Sequence, residues 1–408
     1  MSAAALELVR DDVELLIPYD DVKDPELSIV IPTLNERITI EDFIAWCKEG
    51  LERAGVVGEI LIVDSSSDET PQLALANGAR VLRTPKRGLG RAYIDSLPYI
   101  RGKYVLMGDA DCTYDFREID GFVKAFRAGH EYIMGSRFKG YIEPGSMPAL
   151  HRYFGTPVTT QILNVLYSTS FSDIHCGMRG ITRDALERIE LESQSWQYAS
   201  EMVLKSVCLN LRTTEVPVRF LKDKEGRLSH MKRNGWLEPW RAGWMNLRSM
   251  LTYGADFFLL RPGRVVLLAG LILVLAGTFG LSIGPLTFSS YWSLLGLTLA
   301  VVGLQSFYLG CIVQVSYGYS AATSAKWMRL FEFNRAMLVS AALFVTGLVL
   351  TVPLVVTYAR GGLRLPAIST ASRLSVTGLF LLIAAFLTFS NTLVVHASAM
   401  RARPRRFC

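Results

Sequence analysis

The sequence predicts an α/β domain built on a mainly parallel sheet, followed by four membrane-spanning helices. Three observations carry that prediction. Short apolar runs alternate with amphipathic segments over residues 27–134. Beyond Arg264, charge disappears from long stretches of the chain. Polar and small residues collect where the apolar runs of the first half end.

The runs are LSIVI (27–31), EILIV (59–63), ARVL (79–82), KYVLM (103–107) and EYIM (131–134). Between them, Ile40–Arg53 and Gly90–Ile100 have helical spacing. Apolar strands alternating with helices argue for a parallel sheet covered on both faces. Ligands of such sheets bind beyond the carboxyl ends of the strands. The chemistry is therefore expected in PTLNE (32–36), DSSSDET (64–70), RGLG (87–90), GDADCTYD (108–115) and GSRF (135–138). In MGDADCTYD (107–115), three carboxylates fall within seven residues. Crowded like charges repel unless a cation sits among them, so the cluster is either a metal site or a solvated acidic turn. RGLG opens a helix whose N–H groups would approach a phosphate, but Tyr93 stands where a dinucleotide signature needs glycine, and a tight turn explains it nearly as well.

No residue from Val265 to Ala325 is charged, and the break at 283–290 divides that stretch into two candidate spans. Ala336–Ala359 and Leu374–Met400 supply two more. A spanning helix needs roughly 20 apolar residues, which gives four. His396 is the one ionisable group among them, so the helices read as an anchor and not a transport path. An even number of spans puts Arg261, Arg264, Lys326, Arg329, Arg335 and the arginines of the 401–408 tail on one side, against Arg360, Arg364 and Arg373 on the other. The positive-inside rule then places the large domain and the C-terminus in the cytoplasm.

The 408 residues exceed one ordinary domain. The expected organisation is an acidic segment (1–25), the α/β domain (26–221), a basic loop with an interfacial helix (222–260), a four-helix membrane domain (261–400) and a basic tail (401–408). The acidic N-terminus is no secretory signal. Six scattered cysteines without paired metal spacing suit a reducing compartment. The net charge of +6 sits beside the membrane segments and gives nucleic-acid binding little support. Within 235–260, Trp236, Trp240, Trp244, Leu247, Leu251 and Phe258 recur at helical spacing, and Lys222–Arg248 holds seven basic and three acidic residues. That suits a helix lying in an anionic headgroup layer, or one packed on the soluble core.

SIVIPTLNE, IVDSSSDET, MGDADCTYD, GSRF and SDIHCGMRG, in that order and spacing, resemble a family-2 glycosyltransferase of the Rossmann-like GT-A fold. The nearest subset is the polyprenyl-phosphate glycosyltransferases, which include the dolichol-phosphate mannose synthases. The resemblance implies that Asp109 and Asp111 form a DxD motif holding Mg²⁺ or Mn²⁺, with Thr113 where relatives carry a glutamine ligand. It implies that Pro32, Leu34, Glu36, Asp64, Gly88 and Ala110 line the nucleotide sugar; for Glu36 the alternative is helix N-terminal capping. Asp173 matches an acid near the acceptor that relatives are proposed to use as a base. Since a phosphate monoester is already mostly ionised near neutral pH, Asp173 is expected to orient groups, and a turn cap is its plainer reading. Arg137, Arg152 and Arg179 are matched to the lipid phosphate, as is His230 in a basic loop where relatives have lysine; a merely solvated loop is the rival.

The implied reaction moves one sugar, with inversion, from a nucleotide-diphosphate donor to a polyprenyl or dolichyl phosphate at the cytoplasmic face. UDP-hexose or UDP-N-acetylhexosamine is favoured over GDP-mannose, and association of several copies is left open. A processive polysaccharide synthase is disfavoured, because the chain has no Arg-Trp pair and no span ahead of the catalytic domain. The intact DxD and Arg137 argue against a non-catalytic scaffold.

Overall fold

The computed structural model describes residues 12–167, 169–224, 254–317, 321–361 and 370–401, together with Gly226, Trp244, Arg248 and Leu251. His230, Trp236, Trp240, Leu247 and the 402–408 tail lie outside the described residues. The chain divides into two compact units, Met1–Thr252 and Tyr253–Cys408.

The first unit is built on strands β1 (Glu14–Leu16), β2 (Leu27–Thr33), β3 (Gly58–Asp64), β4 (Arg80–Arg83), β5 (Tyr104–Met107), β6 (Tyr132–Ile142), β7 (Arg179–Thr182) and β8 (Thr213–Phe220). Their order across the sheet is β1-β4-β3-β2-β5-β7-β6-β8. Strands β4, β3, β2 and β5 run parallel, as the apolar runs predict, and their residues are buried on both faces. Helices α1 (Ile40–Ala54), α2 (Thr70–Ala76), α3 (Leu89–Ser96) and α4 (Asp120–Arg127) supply the connections. The acidic N-terminal segment contributes to this sheet: β1 pairs antiparallel with β4, and Asp21 meets Arg101 at 2.9 Å.

A second strand, besides β1, runs against the parallel pattern. β7 lies antiparallel between β5 and β6, with Met107 opposite Arg179 and Met134 opposite the same residue. The chain entering β7 therefore crosses the carboxyl ends of β5 and β6. That register sets residues 172–178 beside the DxD turn and beside Arg137. Gly180 in β7 leaves room for α4, since a Cβ there would come within 2.8 Å of Phe126. A π-helical turn (His151–Gly155) leads into α5 (Thr156–Tyr167), and α6 (Arg183–Ile189) and α7 (Tyr198–Cys208) complete the unit.

The second unit contains α8 (Ala255–Phe279), α9 (Ser290–Tyr317), α10 (Ala321–Leu330), α11 (Phe333–Arg360) and α12 (Thr370–Arg401). A two-stranded hairpin, β9 (Ser282–Ile283) and β10 (Leu286–Thr287), joins α8 to α9. Among the described residues, four helices are long and apolar enough to cross a membrane: Phe257–Phe279, Ser290–Ser316, Phe333–Arg360 and Arg373–Ala399. Helices α8 and α9 meet along glycines at heptad spacing, 263, 270 and 277 facing 296, 303 and 310. A Cβ on Gly270 would lie 2.2 Å from the Ala300 nitrogen, and one on Gly303 2.2 Å from the Leu267 nitrogen. A seven-residue repeat keeps one seam facing its partner, and small residues let backbones approach. Side-chain hydrogen bonds join helices elsewhere, Thr278 to Thr377 at 2.7 Å and Tyr308 to Thr388 at 3.0 Å. His396 has a ring nitrogen 2.8 Å from the Phe331 carbonyl.

Candidate active site

At the end of β5 the chain turns sharply. Cys112 adopts a left-handed backbone with φ 58°, which brings the Thr113 amide and hydroxyl back onto Asp111 Oδ1 at 3.0 and 2.6 Å. Asp109 and Asp111 are half-buried at the mouth, while Ala110 between them is buried. The third acid of the cluster turns away. Asp115 is held by Arg117 through Nε and Nη2, both at 2.7 Å, with the guanidinium over the Trp46 ring. Burial pushes the Asp115 carboxyl up, but the Arg117 hydrogen bonds outweigh it and hold the group below its ordinary value. Two acids, not three, are thus offered at the mouth.

Two neighbouring carboxylates fit a hard divalent cation such as Mg²⁺ or Mn²⁺, which takes its remaining oxygens from phosphate and water. No group of three His, Cys, Asp or Glu side chains converges to hold a metal among the described residues. Thr113, expected as a third ligand, instead clamps Asp111 with its hydroxyl.

The loops after β2 and β3 are laced together. The Asn35 amide donates to Ser66 Oγ at 2.7 Å, the Ser67 amide donates to Asn35 Oδ1 at 2.9 Å, and the Glu36 amide donates to Thr70 Oγ1 at 2.9 Å. Pro32 and Leu34 are half-buried here. Glu36 is buried, and its carbonyl accepts from Thr39 and Ile40 at the start of α1, with a carboxylate oxygen 3.3 Å from the Thr39 hydroxyl. No side chain among the described residues caps the first turn of α1; the Glu36 carbonyl closes the turn that precedes the helix. Asp64 departs from expectation. It is 0% exposed, accepts from Thr33 and Ser66 at 3.0 and 3.2 Å, and lies 3.5 Å from Arg83. In this structure it braces the two loops and presents no surface to a nucleotide. Gly88, with φ 113°, packs against the loop before α7, where a Cβ would fall 2.3 Å from the Gln194 carbonyl. Its glycine is thereby explained by backbone contact, the tight-turn alternative.

On the other flank, Arg137 forms a fork with Asp173, Nε to Oδ2 at 2.6 Å and Nη2 to Oδ1 at 2.8 Å. The Arg137 amide adds a third bond to Oδ2 at 3.1 Å. Asp173 is 0% exposed. Burial disfavours the Arg137 cation, but the hydrogen bonds and charge of Asp173 outweigh it and keep the guanidinium protonated. Its plane lies over the Phe220 ring, 5.3 Å from the centroid. Glu215 steadies the same loop, accepting from the Ser172 amide at 2.6 Å and pairing with Lys139 at 2.6 Å. Next along the chain, burial pushes the His175 imidazole down to about 4, so the ring is neutral. Its Nε2 sits 2.8 Å from Thr159 Oγ1 on α5.

Arg152 is half-buried in the π-helical turn, its guanidinium over Tyr153. Arg179 must be reassigned. It is 1% exposed and its three nitrogens donate to the carbonyls of Cys176, Ala199 and Ile174 at 2.9, 2.5 and 3.3 Å. A guanidinium committed to three carbonyls shapes the 174–176 turn and has no face for a lipid phosphate.

Sequence reasoning missed Tyr114, Glu215 and Phe220. Tyr114 stood inside the MGDADCTYD motif without a signal for its contacts, and no local pattern marks Glu215 or Phe220, because these roles depend on β7 and β8 flanking β5 and β6. Gly177 and His175 stood inside a motif already singled out, without a signal for what they touch.

The sequence matches Glycosyl transferase family 2 over residues 28–190 and the Glycosyltransferase family 2 C-terminal transmembrane region over residues 309–399. It is 36% identical over 314 residues to the low-salt glycan biosynthesis hexosyltransferase Agl6 of Haloferax volcanii, covering 77% of this chain and 74% of that protein. It is 26% identical over 195 residues to a dolichyl-phosphate hexose transferase of the same organism, covering 48% of this chain and 82% of that one. Among solved structures, glucosyl-3-phosphoglycerate synthase of Mycobacterium tuberculosis with Mg²⁺ and uridine diphosphate aligns with TM-score 0.43 and 18% identity, over 57% of this chain and 80% of that one. The family-2 match in the α/β unit, together with that family's transmembrane region, makes this a membrane-bound sugar-transferring enzyme. The chain belongs to glycosyltransferase family 2, with that family's GT-A catalytic fold.

Proposed function

We propose that this enzyme transfers one hexose from a nucleotide-diphosphate sugar to a polyprenyl or dolichyl phosphate, with inversion, at the cytoplasmic face of the membrane. One observation carries the reading: the half-exposed acids Asp109 and Asp111 lie in the turn that follows β5, and β7 alone separates that strand from β6, which carries Arg137 of the buried Arg137–Asp173 fork. The names of the relatives, a hexosyltransferase and a dolichyl-phosphate hexose transferase, support the same substrate pair.

Asp109 and Asp111 would hold Mg²⁺ or Mn²⁺, which when bound offsets charge on the departing diphosphate. In the transfer, a lipid phosphate oxygen forms a bond to the anomeric carbon as the bond from that carbon to the diphosphate breaks. The electron pair leaves with the diphosphate. The attacking phosphate is already ionised and needs no base. Asp173 instead holds Arg137 in one orientation, and that guanidinium, with Arg152, aligns the acceptor and offsets its repulsion from the donor. His230 would add a contact whose charge depends on pH. Uridine donors are preferred over GDP-mannose.

Purified full-length protein in nanodiscs, given polyprenyl phosphate, Mn²⁺ or Mg²⁺ and a panel of nucleotide sugars, should release one nucleoside diphosphate and form a lipid-linked hexose. Full activity with chelator present would overturn the metal's part, and transfer to glycan but not to lipid phosphate would overturn the acceptor.

A further inference from the structure

Tyr114 lies where the donor and acceptor flanks meet. Its side chain is buried, and its ring centroid is 5.1 Å from that of Phe220, the same ring that carries the Arg137 guanidinium. Its backbone bridges to Phe220, and the Leu221 amide donates to the Thr113 carbonyl at 2.7 Å. Its hydroxyl accepts from the Gly177 amide at 2.8 Å. Gly177 in turn touches the DxD: a Cβ there would come within 2.5 Å of Asp109 Oδ2 and 3.0 Å of the Tyr114 ring. A residue three positions beyond Asp111 thus touches the ring under Arg137 and the strand entry that follows Asp173.

We propose that Tyr114 is a positioning residue that fixes the separation between the Asp109–Asp111 turn and the Arg137–Asp173 fork, and so the alignment of attacking and leaving oxygens. The inference rests on the transfer to lipid phosphate proposed above. Phenylalanine would supply the ring contacts equally well; the hydroxyl is needed because the Gly177 N–H would otherwise lose its acceptor.

Each half-site survives without the hydroxyl, since Thr113 still clamps Asp111 and Asp173 still forks Arg137. The spacing between them does not. Tyr114→Phe in the full chain should therefore lower kcat about 10- to 100-fold, the scale expected for misalignment of order 1 Å. KM for polyprenyl phosphate and the Kd for uridine diphosphate with Mn²⁺ should stay within about threefold of wild type. Phe220→Leu, which keeps the hydroxyl and removes its platform, should lower kcat in the same direction. The proposal is overturned if Tyr114→Phe keeps kcat within about twofold of wild type, or if the loss lies in KM or Kd alone. It is equally overturned if the variant fails to fold or loses activity in step with its melting temperature, because Tyr114 is then structural. If wild type binds uridine diphosphate yet glycosylates no lipid phosphate from any donor, the functional reading fails first, visibly in the control, and this inference falls with it.

Discussion

In the catalytic unit, close polar contacts are made by paired charges under side chains: Arg80 with Glu59 at 2.6 Å, Lys205 with Glu201 at 2.5 Å, and Arg137 with Asp173 at 2.6 Å, all nearly or fully buried. In the membrane unit, helix backbones approach one another closely at the glycines of α8 and α9 and at Gly347 and Gly378 on α11 and α12. The difference follows from the solvent. Water drives the sheet and its helices together by excluding apolar area, so the first unit tolerates buried ions if each has a partner. Lipid gives apolar side chains no reason to leave it, so helix association rests on close packing and a few hydrogen bonds such as Thr278 to Thr377. Function gathers in the first unit because charge does.

The largest effect tests the paired-charge half of that contrast. Arg137→Ala strands the fully buried Asp173 carboxylate without its cation, and should destabilise the catalytic unit by about 3–5 kcal/mol while lipid transfer is lost. Combining Arg137→Met with Asp173→Leu should restore most of the stability in denaturant titrations and none of the activity. If the double variant is no more stable than Arg137→Ala, burial of the unpaired acid is not the cause.

A second test uses pH. Folded His175 stays neutral down to about 4, whereas the unfolded chain takes up its proton below the ordinary value of 6.5. Between those values the unfolded state binds more protons, so stability falls as pH drops from 6.5 to about 4 and is unaffected by this group above 6.5. The full contribution is about 3 kcal/mol. His175→Gln, which keeps a partner for Thr159, should remove that part of the acid sensitivity; an unchanged slope between pH 7 and 4.5 would rule out His175 as its source.

The parallel strands and the four spans were legible because each is a local pattern, a short apolar run or a long uncharged one. β7 was not, since RGIT has no distinctive period and its place between β5 and β6 is decided by pairing with residues more than 40 positions away. That insertion is what assembles the site, so the residues it recruits were the least readable. Arg137 and Arg179 show why. Both are arginines in motifs flanking the same cleft, yet one stacks on Phe220 beside an acid and the other is enclosed by three carbonyls. Asp64 likewise looks like a ligand acid in sequence, and only the approach of Thr33, Ser66 and Arg83 makes it a brace. The glycine heptads were present in the sequence all along, but spacing does not say which helix they face.

Those glycines give the next prediction. Gly270→Leu must push α8 away from the Ala300 backbone, and should weaken the membrane unit by about 1–3 kcal/mol, read by unfolding in a detergent series. Leu268→Ala, on the exposed face of the same helix, should cost less than about 0.5 kcal/mol. Equal losses would mean that the seam is no more sensitive than the lipid face, and the contrast between the units would fail.

The smallest effect sharpens the donor side. Thr113→Val keeps the shape of the turn and the 3.0 Å backbone bond to Asp111 but removes the 2.6 Å hydroxyl bond. If Thr113 works through Asp111, the affinity for Mn²⁺ with uridine diphosphate should fall about tenfold, as expected when a ligand loses an orienting hydrogen bond. Thr113→Ser should retain most of the wild-type affinity. The decisive comparison is made in the Asp111→Asn background. A residue that acts only by orienting that carboxylate has nothing left to orient, so adding Thr113→Val there should change the remaining affinity little. A further drop of the same size in both backgrounds would make the hydroxyl a metal ligand in its own right, and the mouth of the site would then hold three protein oxygens in place of a clamped pair.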